Sequence, residues 1–252
     1  MQALTLPARR GWRWITDGYL LYSKSRLMLS LIVFAYWLLM MMVNSVPVIG
    51  QVIATVCLPA MSVSMMNAFR TIERGGVVAP TVLFSGFAEN LQALLVLGGT
   101  YLVAALGIFS LTSLIDDGVL FNLFVVGGQF DSSLATSNIF LAAQVATVLF
   151  VPLVMAYWYA PVLAAWHGYP AAKSLFFSFV ACVRNWRAFL IYVLGLLACG
   201  LGMILLSVMV SAMLAGAGKL SFLIAGFIGM PIVYASFYVS YRDVFVAVGE
   251  EA

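Results

Sequence analysis

Six apolar runs, at about 27–44, 48–70, 91–115, 138–166, 187–213 and 220–246, dominate this chain. Each approaches or exceeds the roughly 20 helical residues needed to cross a hydrocarbon layer of about 30 Å. None carries an Asp, Glu, Lys or Arg near its centre. Backbone inside lipid must satisfy its own polar groups, and the runs lack the alternation of a barrel strand, so each is expected to be a helix. The fold class that follows is all-α and polytopic, with six transmembrane helices in a single membrane domain spanning 1–252. Composition agrees, since 64% of the residues are hydrophobic and only 8% are charged. Soluble domains carry about 25% charged residues, so this chain cannot clothe a surface in water.

The opening residues MQALTLPA lack an apolar core, and no small-residue cleavage site follows the first run. That run therefore reads as a retained span rather than a leader. Cys57, Cys182 and Cys199 are too widely spaced to suggest a ligand pair, so free thiols are expected.

Orientation follows from the cations. Arg9, Arg10, Arg13, Lys24 and Arg26 precede span one, and Arg70 and Arg74 follow span two. Lys173, Arg184 and Arg187 lie between spans four and five, and Arg242 ends span six. Lys219 alone falls on the other side, where Asp116, Asp117 and Asp131 also lie. Both termini are expected in the cytoplasm.

The even spans share a pattern. Pro59, Pro152 and Pro231 sit near their middles, and the same offset from each leads to Arg70, Leu163 and Arg242. Gly75 and Gly168 share a second offset from the first two prolines. Each hairpin follows a shorter, weakly amphipathic stretch, at 9–26, 80–90 and 170–186. Trp12, Ile15, Tyr19 and Tyr22 form one apolar stripe on the first, and aromatics beside Arg and Lys suit a helix in the headgroup layer. The chain thus reads as three pseudo-repeated hairpins, each preceded by a short interfacial helix, in units of about 7–75, 80–168 and 170–249. The prolines are read as helix kinks that free the carbonyls of Thr55, Val148 and Phe227. Small residues spaced by four, Ala198 with Gly202 and Ala225 with Gly229, are read as close-packing sites.

His167, the only histidine, stands beside Gly168 where a helix should end, so capping and dipole chemistry explain it. It lacks co-ligands, so no metal is expected, and no catalytic set or cofactor motif is present. Asp116 and Asp117 beside Gly118 are read as turn residues. The best candidate site is a cytoplasmic polar cluster of Asn67, Arg70, Tyr159, Arg184, Asn185, Arg242 and Asp243, with Asp243 as the anionic partner of the arginines.

The segments YAPVLAAWHG, ACVRNWRAFLIY and YVSYRDVF, with a weaker match at GWRWITDGYLLY, resemble an uncharacterised family of six-span inner-membrane proteins of proteobacteria. The resemblance covers roughly 150–245 and implies a bacterial inner-membrane location and a fold with both termini inside. It implies no activity. The sequence favours a non-enzymatic scaffold that binds membrane lipid or a protein partner in the membrane, with homo-oligomers allowed and no nucleic acid. The alternatives are a passive transporter or channel-like carrier of a lipidic or small solute, and, third, an enzyme acting on lipid headgroups.

Overall fold

The fourth apolar run is one span in sequence and two helices in space. In the computed structural model, which describes residues 4–128, 137–214 and 217–245, α6 (Ser137–Tyr157) stops and α7 (Ala160–His167) begins after a break at Trp158 and Tyr159. Pro161 supplies the reason, because it has no N–H to return to the carbonyl of Tyr157. Pro152, where a kink was expected, lies inside α6, and the helix continues past it.

The other spans are single helices: α2 (Arg26–Asn44), α3 (Ile49–Glu73), α4 (Leu91–Asp116), α9 (Trp186–Met213) and α10 (Ala217–Val244). Pro59 and Pro231 lie within α3 and α10, which likewise run through them. All six runs have the length and apolarity to cross a membrane, and no strand occurs among the described residues. The short stretches are also helical: α1 (Arg10–Ser23), a 3-10 helix (Pro80–Ala88) and α8 (Ala171–Arg184). Asp116 ends α4 by accepting hydrogen bonds from the N–H groups of Gly118 (3.1 Å) and Leu120 (2.8 Å), which starts the short helix α5 (Val119–Phe121). Asp131 lies outside the described residues.

The helices form two compact units. The first draws its described residues from Met1–Met40, Met61–Ala88 and Val180–Ala252, the second from Met41–Ala60 and Glu89–Phe179.

In the first unit α1 is clasped between α9 and α10. Its inward face is Gly11, Trp14, Ile15, Gly18, Leu21 and Tyr22. Two glycines make the approach possible: a Cβ on Gly11 would run into the carbonyl of Ala188, and one on Gly18 would lie 2.6 Å from the Ser236 nitrogen. Trp14 then packs edge-on against Phe189 and Tyr192 at 5.4 and 5.6 Å between centroids. The expected apolar stripe is therefore split. Ile15 and Tyr22 are buried, but Trp12 and Tyr19 face outward, 49% and 47% exposed. In lipid the outward face need not be polar, so aromatic periodicity does not say which side packs.

The second unit closes around Leu94, Leu97, Val162, Leu163 and Tyr159. Gly98 of α4 abuts the Val56 backbone so closely that no Cβ would fit. Helix α8 shows an inverted pattern, with Ser174 and Ser178 buried and Phe176 64% exposed. Ser178 repairs the break in span four: its Oγ accepts from the Tyr159 N–H at 2.9 Å and donates to the Met155 carbonyl at 2.9 Å.

Candidate functional site

The residues of the expected polar cluster separate into distinct settings. Arg242 and Asp243 belong to a network that ties α10 to α1 and α3. Arg10 Nε donates to Asp243 Oδ2 at 2.7 Å, and the buried indole of Trp14 donates to the same oxygen at 3.0 Å. Arg242 Nη1 donates to Glu73 Oε1, while the Tyr238 hydroxyl donates to Glu73 Oε2 at 2.6 Å. Arg242 reaches Asp243 only through Nη2, 3.6 Å from Oδ1. The hydrogen bond it donates to Asp243 lifts the Arg10 guanidinium above its ordinary range, against the pull of partial burial. Asp243 is thus chiefly the partner of Arg10, an arginine outside the expected cluster, and only secondarily that of Arg242. Adjacent residues on a helix point about 100° apart, so they do not face each other.

Arg184 and Asn185 do something else: they hold the segment before α1. Asn185 Nδ2 donates to the Leu4 carbonyl at 2.8 Å, and its Oδ1 accepts from the Leu6 N–H at 2.8 Å. Arg184 Nε donates to Thr5 Oγ1 at 3.3 Å. The Leu4 N–H in turn donates to the Val244 carbonyl at 3.0 Å. Asn67 donates to Ser85 Oγ at 2.9 Å, so it anchors the 3-10 helix. Arg70 lies close enough to the Tyr238 hydroxyl to act on it electrostatically. Tyr159 belongs to the second unit, fully buried at the helix break.

Sequence reasoning missed Arg10, Trp14, Tyr238 and Glu73 as members. Glu73 carried a legible signal, being an acid between Arg70 and Arg74 at the end of an apolar run. His167 closes α7, and Gly168 beyond it adopts the left-handed φ of 63° that ends helices.

A groove of about 680 Å³ with the shape of a ligand site lies in the first unit, between α1, α9 and α10. Trp12, Thr16 and Tyr19 of α1, Met203 of α9, and Phe222 and Val233 of α10 mark its walls. Its surface is almost wholly apolar. The Thr16 hydroxyl is already donating to the Arg13 carbonyl at 3.0 Å. Glycines make the space. A Cβ on Gly200 or Gly226 would enter open space, and one on Gly229 would meet only the side chain of Met203. Gly202 is equally open. The Ala225–Gly229 pair was expected to bring helices together, but both residues line the groove. Small residues permit close approach without enforcing it: a Cβ on Gly229 would crowd Met203, whereas one on Gly226 enters open space.

No family model matches the chain. No solved structure matches it. A probable inner membrane protein of Burkholderia thailandensis is 36% identical over 254 aligned residues, covering 97% of this chain and 94% of the relative. Identity at that level over nearly the whole of both chains, together with six membrane-length helices, places the protein plainly: it belongs to that family of multi-pass inner-membrane proteins, the kind its motifs resemble.

Proposed function

We propose that this is a non-catalytic membrane protein that binds lipid, holding an acyl chain in the groove between α1, α9 and α10. One observation carries the reading: an apolar groove of about 680 Å³ lying along membrane-spanning helices and walled on one side by α1. Its size falls in the range of about 300–1,000 Å³ typical of ligand sites. On α10 it runs from Phe222 to Val233, roughly 17 Å at 1.5 Å per residue. That is about half the hydrocarbon thickness, the reach of one leaflet's acyl chain. Trp12 and Tyr19 at the α1 end are the residue types that sit at headgroup level.

The test is direct. Purified protein examined by native mass spectrometry should carry bound phospholipid at defined stoichiometry. Gly200→Leu with Gly226→Leu, which fills the groove where space is open, should strip it. Unchanged lipid in that variant would refute the groove as the site.

A second reading, a passive carrier of a lipidic solute, draws on the break in span four, because interrupted membrane helices frame the sites of many transporters. Solute flux into proteoliposomes, abolished by Ser178→Ala, would favour it over static binding.

A further inference from the structure

We infer that the groove's occupant is an anionic phospholipid, its phosphate held by Arg9 and Arg13. The inference rests on the lipid-binding reading above and adds the headgroup class. Positions 9, 13, 16 and 20 form one stripe along α1, at the i, i+4, i+7, i+11 spacing of a helix face. Thr16 and Leu20 of that stripe line the groove. Arg9 and Arg13 continue it past the apolar walls, and both are exposed. The groove's α1 end therefore passes from hydrocarbon-lined to cationic within two helical turns, which is the polarity profile of a phospholipid.

The charge count at this end favours an anion. Of the three arginines at the start of α1, counting Arg9 just before it, Arg10 is committed to Asp243 through its 2.7 Å bond. Asp17 is the only acid on α1, so this end carries one carboxylate against three guanidinium groups. Arg9 and Arg13 thus present a positive pair where a headgroup would lie. A zwitterionic lipid satisfies the phosphate contact but brings its own ammonium into that field. An anionic lipid does not. Each arginine close to an anionic lipid surface is worth about a fivefold factor in binding, so two give about 30-fold.

The experiment uses the full chain in detergent, exchanged against vesicles of equimolar phosphatidylglycerol and phosphatidylethanolamine, with bound lipids counted by native mass spectrometry. The wild type should retain phosphatidylglycerol over phosphatidylethanolamine by about 30-fold. Arg9→Gln with Arg13→Gln should bring that ratio to within a few-fold of one while lipid remains bound. Lys173→Gln, an equal loss of charge on α8, should leave the ratio unchanged. Preserved selectivity in the double arginine variant, or equal loss in Lys173→Gln, would overturn the headgroup assignment while leaving the groove intact. If Gly200→Leu with Gly226→Leu leaves the bound lipid unaltered, the groove reading itself fails, and the headgroup assignment with it.

Discussion

Asp243 accepts from a guanidinium and from an indole with one oxygen, on a side chain only 7% exposed. Replacing it by Ala would strand the buried Trp14 N–H and leave Arg10, itself 28% exposed, without its acceptor. Leaving buried donors unsatisfied costs about 1–3 kcal/mol each, so Asp243→Ala should destabilise the protein by about 3 kcal/mol. Arg242→Ala should cost about 1 kcal/mol, because that arginine is 44% exposed and open ion pairs contribute little. Thermal unfolding in detergent would rank the two, and a reversed order would refute this account of the network. Since the Asp243 bond raises the Arg10 pKa, the arginine's share of stability is present throughout the neutral range and disappears only at strongly alkaline pH. His167→Gln should lower stability by no more than about 1 kcal/mol, the scale of a charge at a helix end, and should leave bound lipid unaltered. At this scale the sequence marked polar residues in apolar surroundings but could not pair them. Arg242 and Asp243 were legible as unusual, whereas Arg10 and Trp14 meet Asp243 across most of the chain's length.

Helix boundaries were the most legible level of all, because lipid leaves the backbone no alternative to helix. The break in span four was not legible. Both Pro152 and Pro161 were visible, and which one stops the helix depends on who satisfies the freed backbone. Ser178 serves Met155 and Tyr159 beside Pro161. Ser178→Ala should therefore cost about 2–3 kcal/mol, since it leaves a buried N–H and a buried carbonyl unpaired. Ser174→Ala should cost less, because the Ser174 hydroxyl only bonds back to the Pro170 carbonyl one turn earlier, at 3.2 Å. Similar unfolding temperatures for the two variants would contradict the bridging role. Glycines supply a matched contrast in the first unit. Gly18→Ala would push a Cβ into the Ser236 backbone, whereas Gly226→Ala enters open space. The first should destabilise α1 docking by more than 1 kcal/mol, and the second should be neutral or slightly stabilising.

Two expectations concern the molecule as a whole. With eleven of the twelve cations assigned to one side, cysteines placed at 71–90 and 167–186 should label only from the cytoplasm, and those at 116–137 only from outside. Inside-only labelling at position 131 would reverse the orientation. The second is triplication, for which the same local arrangement recurs. Each short helix rests on an even span a turn or two beyond its proline: Gly86 N–H donates to Ser64 Oγ at 2.9 Å, Ser178 bridges Met155 and Tyr159, and Gly18 abuts Ser236. The asparagine before an odd span also recurs. Asn185 holds the segment leading into α1, and Asn90 donates to the carbonyls of Ala164 (2.9 Å) and Tyr169 (3.4 Å) ahead of α8. If the three are copies, α1 takes from α10 what the 3-10 helix takes from α3, and a covalent link between them should be dispensable between copies. Leu4 and Val244 are already hydrogen-bonded neighbours. A circular permutant that joins 245 to 4 and opens within 75–79 should therefore insert, purify as a monodisperse species and melt within a few degrees of the parent. One opened within 45–48, between two spans of the same copy, cuts a hairpin and should fare worse. If the 75–79 permutant fails as thoroughly as removal of residues 1–25, the three segments are not interchangeable copies.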